Sequence, residues 1–419
     1  MNPYLIAILV ILIGKFLLDL RIETLNLRHF DPDLPEEFAG VYDPDNYRRA
    51  RDYLADRTRL GLAGSGTITA LTVAFILLGG FTWLDRVARA AAGGEILRGL
   101  VFAGIFFLLY SLAGLPFAVR RTFGVEEKYG FNRTTPKTFI LDILKGWALA
   151  ALIGSAVLAV VIRLFSLYGP SAWLICWGAV SLFQLFILFI APVTIMPLFN
   201  RFTPLEEGDL RKRIEHYLEE QNFAVRGVLK MDASRRSGKS NAFFTGFGRW
   251  RRIVLYDTLL ENHPPGEILA VIAHETAHYR LKHIPKNVAV SLLSTGLMFF
   301  ILSLFIENRG LFDAFGVEEL SIYAGIFFFG FLYGPIDLAL SLLGNYLSRK
   351  FEYQADRFAA RTGEGPEPMI AALKKLSVDN LSPLTPHPLK VFFSYSHPPV
   401  LERIRSLREA EPRSRSASP

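Results

Sequence analysis

The chain has 419 residues, of which 51% are hydrophobic and only 20% are charged, against about 25% charged residues in ordinary soluble proteins. This composition excludes a disordered chain and argues against a plain soluble enzyme, which would expose large apolar patches. The net charge of +7 has no aromatic–basic motif behind it, so we expect no nucleic acid partner and attribute it to basic loops on one side of a membrane. The single cysteine, Cys176, excludes an intramolecular disulfide and a thiolate metal cluster.

Seven stretches are apolar and long enough to cross a bilayer, whose core of about 30 Å needs ~20 apolar residues in a helix. They cover residues 4–20, 62–84, 97–119, 144–165, 172–196, 288–306 and 320–343. The first has no small-residue cleavage site after it, so we interpret it as a retained span rather than a signal peptide. The sequence therefore predicts a predominantly α-helical, polytopic protein with seven transmembrane helices and the lipid bilayer as a partner.

Lysine and arginine are unevenly distributed between the loops. If the spans alternate, the loops at 21–61, 120–143 and 200–287 lie on one side with the C-terminal region, and all are rich in both residues. The positive-inside rule places that side in the cytoplasm and the N-terminus outside. Compact loops and an arginine-rich composition indicate a bacterial inner membrane, or the endoplasmic reticulum membrane if the protein is eukaryotic.

Two polar residues lie inside predicted spans, where polarity is costly unless it faces protein or water. Gln184 lies in the fifth span, and Asp337 follows Gly334-Pro335, a pair that favours a helix kink, in the seventh. Together they indicate either a hydrated interior cavity or one satisfied interhelical hydrogen bond each.

A β-hairpin is predicted in the polar segment that follows the fifth span. Residues 240–246 and 252–256 form two runs separated by a Gly/Arg turn, and the second run is rich in β-branched and aromatic residues. The first run would be an edge strand, to which an extended peptide can add by β-augmentation. The substrate-binding candidates are Asn241, Ala242, Phe243 and Phe244. An ordinary structural hairpin is the alternative.

A metal-binding pattern follows on a predicted helix over residues 266–284, which Pro264-Pro265 precede. His274 and His278 are at i and i+4, so both imidazoles lie on one helix face and can reach one zinc ion. Glu275 is offset by about 100° and is placed to take a proton from a zinc-activated water without binding the metal. Incidental polar spacing is the alternative.

A catalytic zinc requires three protein ligands and one open position. His283 is a poor third ligand, because i+5 from His278 rotates it away. A predicted helix over residues 348–362 carries Glu352 and Asp356, again at i and i+4. Glu352 can complete a His₂Glu site, and Asp356 can accept the Nδ1–H of a ligating histidine. Alternatively, both acids are exposed and pair with neighbouring basic residues.

Two further candidates lie near the C-terminus. His397 and Arg403 flank Pro398-Pro399, which suits the start of a helix. Near zinc, the two side chains could stabilise the oxyanion of a tetrahedral intermediate. The four histidines without partner spacing are expected at the surface: His29, His216, His263 and His387.

Taken together, these segments resemble the type I CAAX prenyl proteases, a family of integral-membrane zinc endopeptidases. The similarity covers most of the chain and is strongest at residues 240–246, 252–260, 274–278, 351–356 and 396–403, with further similarity at 34–38 and 126–132. It implies seven membrane helices enclosing a water-filled chamber, plus a small α+β, gluzincin-like zinc metallopeptidase domain.

The resemblance also implies roles for individual residues. It makes His274, His278 and Glu352 the ligands of one zinc ion per chain, with Glu275 as the general base. Asp356 would support the site, the strand at Asn241 would hold the substrate backbone, and the flanks of the reacting carbonyl would be occupied by His397 and Arg403.

The expected substrate is a peptide or protein. Eukaryotic members of the family remove the last three residues after a prenylated CAAX cysteine, but bacteria generally lack prenylation. Processing of other membrane-associated polypeptides therefore remains open alongside a CAAX-type substrate.

On this interpretation the chain divides into five parts. Residues 1–199 form a membrane region with five transmembrane helices, 200–287 the zinc peptidase core, 288–347 transmembrane helices six and seven, 348–410 the remainder of the peptidase domain with the third ligand, and 411–419 a disordered tail.

Two other functions fit parts of the pattern. A heat-shock-type membrane zinc protease for quality control shares the zinc motif but has about four spans. A seven-span receptor or transporter with a structural zinc site would need a closed, four-ligand shell.

Overall fold

A computed structural model describes residues 2–246 and 251–409; the predicted tail at 411–419 and part of the predicted Gly/Arg turn lie outside them. The N-terminal half is helical: α1 Pro3–Arg28, α2 Pro44–Leu77, α3 Gly80–Ala91, α4 Glu95–Arg120, α5 Pro136–Tyr168, α6 Trp173–Thr194 and α7 Met196–Phe199. A π-helical turn, Arg121–Glu126, extends α4.

The C-terminal half combines a small sheet with helices. Its elements are β1 Phe202–Pro204, α8 Asp209–Glu220, β2 Gly227–Met231, β3 Ala242–Thr245, β4 Arg252–Tyr256, α9 Asp257–Asn262, α10 Pro265–Arg280, α11 His283–Phe305, α12 Arg309–Ala314, α13 Ile322–Thr362, α14 Pro366–Asp379, α15 Pro388–Ser394 and α16 Val400–Glu409.

Five helical segments of the described chain are long and apolar enough to cross a membrane: Pro44–Leu77, Glu95–Glu126, Pro136–Phe199, His283–Phe305 and Ile322–Thr362. The third contains both α5 and α6, joined by a 3₁₀ turn at Gly169–Ala172. The first predicted span lies in α1, which is not among the five. The protein is therefore an integral multi-pass membrane protein, and the count of seven spans stays a prediction.

Three long helices begin with the same local device, a side-chain cap followed by proline. Asn2, Asp43 and Thr135 each accept a hydrogen bond from a backbone N–H of the first turn, and each precedes the proline at the first helical position. The cap satisfies an otherwise unpaired donor, and proline lacks the N–H that this position cannot use. These starts are therefore encoded locally, independently of packing.

An aromatic core holds one end of the helical bundle together. The ring of Phe328 stacks on Phe315 with centroids 4.0 Å apart and meets Phe81 edge-on at 5.6 Å. Beside it, the Tyr323 hydroxyl donates to the buried Asp85 carboxylate at 2.6 Å, and Asp85 also pairs with Arg89. Burial of these rings ties α3 and α13 together with the loop after α12.

The four strands form one sheet in the order β1-β2-β4-β3. The two strands of the predicted hairpin, β3 and β4, pair antiparallel, with Ala242 opposite Leu255 and Phe244 opposite Ile253. Strand β4 is buried in the middle of the sheet, whereas β3 lies at its edge, as the sequence predicts.

Two predicted domain boundaries fall inside continuous helices. The boundary at 287/288 lies within α11, and the boundary at 347/348 lies within the 41-residue helix α13. The segment 348–362 is therefore not a separate helix, because Pro335 is accommodated within α13 and nothing near residue 347 breaks the helical path. The helix that carries the acidic pair is the extension of an apolar one.

A cavity of about 1170 Å³ lies between α1, α2, the π-helical turn and the sheet-bearing half. Charged residues line it, including Glu23, Arg57, Glu126 and Lys239, and Lys239 pairs with Glu126 at 3.2 Å. Gln184 does not line this cavity. It donates an interhelical hydrogen bond to Thr295 at 3.0 Å, which agrees with the alternative of a satisfied hydrogen bond between helices.

Candidate metal centre and active site

Helix α10 presents the two histidines of the motif from a buried position. Pro264 and Pro265 set its start, and its apolar side, with Ile268 and Ile272 at most 1% exposed, packs into the apolar core of the sheet-bearing half. Because that side anchors the helix, His274 and His278 are held on its other face toward α13. Helix α10 ends at Arg280, before Lys282 in the left-handed region at φ +58°.

The C-terminal part of α13 supplies the acidic pair. Phe351, Ala355 and Ala359 on this stretch are buried, and the face they share turns Glu352 and Asp356 inward; both carboxylates are at most 3% exposed. Helices α10 and α13 pack against one another here. The alternative of two exposed acids is therefore wrong, because the apolar face of α13 is buried against α10.

Three side chains converge between these helices, and we call them the ligand triangle. Nε2 of His274 lies 3.2 Å from Nε2 of His278 and 3.4 Å from Oε2 of Glu352, and Nε2 of His278 lies 3.2 Å from Oε1 of Glu352. Tetrahedral zinc with bonds of about 2.0–2.1 Å separates neighbouring ligand atoms by about 3.3–3.4 Å, so this triangle fits one zinc ion.

A buried carboxylate oxygen with only long polar contacts supports the same conclusion. Oε2 of Glu352 makes no hydrogen bond within the described ranges, although it is shielded from solvent; it lies 3.4 Å from Nε2 of His274 and 3.5 Å from Nη1 of Arg403. A buried carboxylate oxygen without a hydrogen bond is costly, and a cation bound between these side chains would satisfy it. His274, His278 and Glu352 are accordingly the residues that could hold a metal ion.

Asp356 lies behind the first histidine, as the sequence predicts. Its Oδ1 is 2.8 Å from Nδ1 of His274. Burial alone lowers the pKa of His274, but the hydrogen bonds to Asp356 and Glu352 outweigh it and raise the pKa to about 9. Asp356 therefore fixes the orientation of the ring and increases its basicity.

Arg403 joins this site from α16. Its Nε and Nη2 contact the two oxygens of Asp356 at 2.8 and 2.6 Å, a bidentate pair, and its Nη1 lies 3.5 Å from Oε2 of Glu352. The guanidinium is buried and offsets the charge of both carboxylates. His397 lies at the mouth of the site, with Nε2 3.5 Å from Oε1 of Glu352 and 63% of its side chain exposed.

Glu275 is partly buried beside the ligand triangle. Burial raises the pKa of its carboxyl above the ordinary value, and the imidazoles of His274 and His278 oppose that shift. A carboxylate whose pKa moves toward neutrality exchanges protons more readily at neutral pH, which is what a general base requires.

The substrate-binding candidates lie on and beside β3. Asn241 accepts the backbone hydrogen bond of Tyr256 through its carbonyl, while its side-chain Oδ1 accepts from the N–H of Ala242 at 2.8 Å. By the alternation of an antiparallel ladder, Ala242 and Phe244 direct their backbone groups away from β4, toward the free edge. The zinc helix α10 packs against this strand. The structure thus brings the strand and the metal ligands into one unit.

One residue of the site is not in the predicted set of site residues. His283 is only 1% exposed, its ring stacks on Phe351 with centroids 4.2 Å apart, and its Nδ1 lies 3.2 Å from Nδ1 of His278. The predicted helix over residues 266–284 ends at Arg280, and His283 begins α11 instead, so the i+5 argument, which assumed a single helix, does not apply to it. The turn at Lys282 brings this imidazole behind His278, and no helical spacing in the sequence indicates that contact.

One expectation about the remaining histidines is wrong. His263 is 5% exposed rather than at the surface, with Nδ1 2.7 Å from Oε2 of Glu267 and Nε2 3.3 Å from Oδ2 of Asp379. The residue caps the junction of α9 and α10, where packing of α14 covers it; the sequence contains no periodic signal for this.

Comparisons with known proteins cover nearly the whole chain. The family "CAAX prenyl protease N-terminal, five membrane helices" matches residues 23–201, and "Peptidase family M48" matches residues 204–411. The chain is 34% identical to CAAX prenyl protease 1 homolog of Oryza sativa subsp. japonica, covering 98% of each protein. It is 32% identical to CAAX prenyl protease 1 homolog of Homo sapiens, covering 90% of this chain and 88% of that one.

The fold agrees with a solved structure. The crystal structure of S. mikatae Ste24p superposes with a TM-score of 0.92 at 29% identity, covering 97% of this chain and 99% of that one.

Fold and site together define a membrane-embedded zinc metalloendopeptidase. The chain belongs to the type I CAAX prenyl protease family, within peptidase family M48. These comparisons do not favour a heat-shock-type quality-control protease or a receptor with a structural zinc site.

Proposed function

We propose that this enzyme processes CAAX-type polypeptides at the membrane, cleaving near the carboxyl terminus of the substrate. The ligand triangle carries the proposal: the two Nε2 atoms lie 3.2 Å apart, each lies 3.2–3.4 Å from one oxygen of Glu352, and the site packs against a sheet whose edge strand is β3. Full-length similarity to proteins named CAAX prenyl protease 1 supports the substrate class. Prenylation of the substrate is part of the proposal.

In the proposed site His274, His278 and Glu352 hold one zinc ion per chain. When bound, zinc would polarise the scissile carbonyl and lower the pKa of a bound water toward ~7. The burial of Glu352 and the absence of a hydrogen bond to its Oε2 among the described residues support its assignment as the third ligand.

The chain's own residues supply positioning and proton transfer. The outer edge of β3 binds the substrate backbone as an added strand, through the N–H and carbonyl of Phe244 and the carbonyl of Ala242, whose N–H is already held by Oδ1 of Asn241. Asn241 and Phe243 belong to the same binding strand. Glu275 takes the proton from the attacking water on its carboxylate and returns it to the leaving amine. Nε2 of His397, at the exposed mouth of the site, is placed to donate to the reacting carbonyl oxygen.

Arg403 has a different proposed role from that of His397. Two of its nitrogens are engaged by Asp356, so it acts mainly by keeping Asp356 ionised and oriented toward His274. Its remaining Nη1, 3.5 Å from Glu352, faces the ligand triangle and contributes positive potential near the reacting carbonyl.

For the topology we propose seven spans, with α1 as the first and with α5 and α6 as separate crossings. The apolar composition of α1 and the 3₁₀ break at Gly169–Ala172 support this count. The basic loops support a cytoplasmic zinc site and an external N-terminus, in a bacterial inner membrane or the endoplasmic reticulum. The charged lining of the cavity of about 1170 Å³ supports a water-filled space beside the membrane helices.

A direct test uses the full-length enzyme in detergent and two peptides ending in a CAAX sequence, identical except for prenylation of the cysteine. Products are identified by mass spectrometry with and without a zinc chelator. We expect chelator-sensitive release of the last three residues, faster from the prenylated peptide. Equal cleavage of both peptides would contradict the lipid preference, and chelator-resistant cleavage would contradict the metal site.

A further inference from the structure

The second histidine of the ligand triangle has an imidazole behind it rather than a carboxylate. His278 directs Nε2 at the other two ligand atoms, which leaves Nδ1 on the opposite side of its ring. That Nδ1 lies 3.2 Å from Nδ1 of His283, and Nε2 of His283 lies 2.9 Å from Oε1 of Gln354. Three side chains from α10, α11 and α13 thus form one row of hydrogen bonds.

The middle residue of the row is held rigidly. His283 is the first residue of α11, directly after the left-handed Lys282 that reverses the chain behind α10. Its ring is almost fully buried and stacks on Phe351 at an interplanar angle of 9°. The ring therefore cannot rotate away from His278 without losing this contact.

Proton positions in the row follow from the ligand role of His278. A histidine that binds a cation through Nε2 carries its proton on Nδ1, so His278 must donate to His283. Nδ1 of His283 must then be the acceptor, which places the proton of that ring on Nε2. Nε2–H can donate to the carbonyl oxygen of Gln354, so one set of tautomers satisfies both bonds.

We propose that His283 is a positioning residue of the zinc site, which orients His278 and fixes its tautomer while Gln354 fixes that of His283. This proposal rests on the assignment of His278 as a ligand in the proposed function. Gln354 follows Glu352 by two residues on α13, so the row also connects the ligand from α10 to the helix that provides the third ligand. The two candidate ligand histidines then have different partners: His274 contacts the charged Asp356, whereas His278 contacts the neutral ring of His283.

The test separates hydrogen bonding from packing with two substitutions at one position. His283→Phe keeps an aromatic ring for stacking on Phe351 but removes the acceptor. His283→Asn loses the ring, but its Oδ1 can take the place of Nδ1 as the acceptor. Zinc affinity of the full-length protein in detergent is measured by competition with a chromophoric chelator, without any substrate.

We expect His283→Phe to weaken zinc binding by about 10–100-fold, as is typical when a partner behind a metal ligand is lost, and His283→Asn to weaken it less. Gln354→Leu should fall between the two, because it releases the tautomer of His283 but leaves the ring in place. Equal losses in the two His283 variants, or a greater loss in His283→Asn, would overturn the proposal, since packing would then account for the effect.

A matched control comes from the other buried histidine. His263 is also buried, but its Nδ1 hydrogen bonds to Glu267 and its Nε2 lies 3.3 Å from Asp379 rather than beside a ligand, so His263→Asn should leave zinc affinity unchanged. His278→Ala distinguishes failure of the ligand assignment from failure of the positioning role. If it retains full zinc affinity, the ligand assignment itself is wrong. If it loses zinc while His283→Phe does not, only the positioning role is wrong.

Discussion

Asp356 and His274 are joined by a contact of 2.8 Å between Oδ1 and Nδ1, across the interface of α13 and α10. The carboxylate is itself held by two nitrogens of Arg403. Helix α13 therefore contributes both the candidate ligand Glu352 and the group that supports His274 on α10, and α16 contributes the arginine that holds that group.

Asp356→Asn should weaken zinc binding by about 10–100-fold, because the neutral amide no longer increases the basicity of His274. The substitution also takes the bidentate partner from the buried Arg403, so stability should fall as well. Zinc affinity is measured by chelator competition on protein that elutes as a single folded species. Asp313→Asn, at a surface ion pair with Arg309, is the matched control and should change neither property. Unchanged zinc affinity in Asp356→Asn would show that the contact is not functional.

Glu275→Gln should retain zinc and lose turnover by about 10²–10⁴-fold, because the amide cannot accept a proton from water. Zinc content is measured by metal analysis and kcat with a fluorogenic CAAX peptide. Glu267→Gln, in the first turn of the same helix and paired with His263, is the control and should keep both properties. Turnover within a few-fold of the unmodified enzyme in Glu275→Gln would rule out the base assignment.

The zinc-free protein should lose stability as pH rises through about 9. The folded state raises the pKa of His274 from 6.5 to about 9, so it favours the protonated ring. That contribution is fully present below pH 6.5 and disappears above pH 9. The Tm of the chelator-treated protein should therefore be lower at pH 10 than at pH 6.5. The part of this decrease that comes from His274 should be absent in His274→Gln. A higher Tm at pH 10 would contradict it.

Zinc binding should show the opposite dependence on pH. Because the ligand must be deprotonated, binding displaces the proton of His274, and apparent affinity should rise with pH up to about 9. Calorimetry in two buffers of different ionisation enthalpy measures the protons released. Binding without proton release at pH 7 would mean that His274 is already neutral in the zinc-free protein.

Phe244→Pro should lower kcat/KM by about three- to tenfold without changing zinc content. The backbone N–H of Phe244 points to the free edge of β3, and its removal eliminates one hydrogen bond to an added substrate strand, worth about 0.5–1.5 kcal/mol. Phe244→Leu separates this effect from the loss of ring contact with Phe223, since leucine keeps the N–H. If the two variants have the same kcat/KM, substrate does not bind as an added strand at this residue.

Much of the site could be predicted because its residues are neighbours on single helices. His274 and His278 share a face by i,i+4 spacing, and so do Glu352 and Asp356, whatever surrounds them. The edge position of β3 also followed from the order of turn and strand signals, and the structure has it at the edge of the sheet. Local periodicity determines which side chains share a face, and this was enough to propose a His₂Glu site.

The sequence by itself determined the apolar segments, the helix starts at capped prolines, the zinc motif and the membership in a family of membrane metallopeptidases. Only the tertiary structure decided that α13 runs unbroken into the ligand segment, that Arg403 is bound by Asp356, and that His283 lies behind His278. The reason is physical: distances between helices are set by the packing of their apolar faces, here α10 against α13. No spacing along the chain records that packing, because 74 residues separate His278 from Glu352.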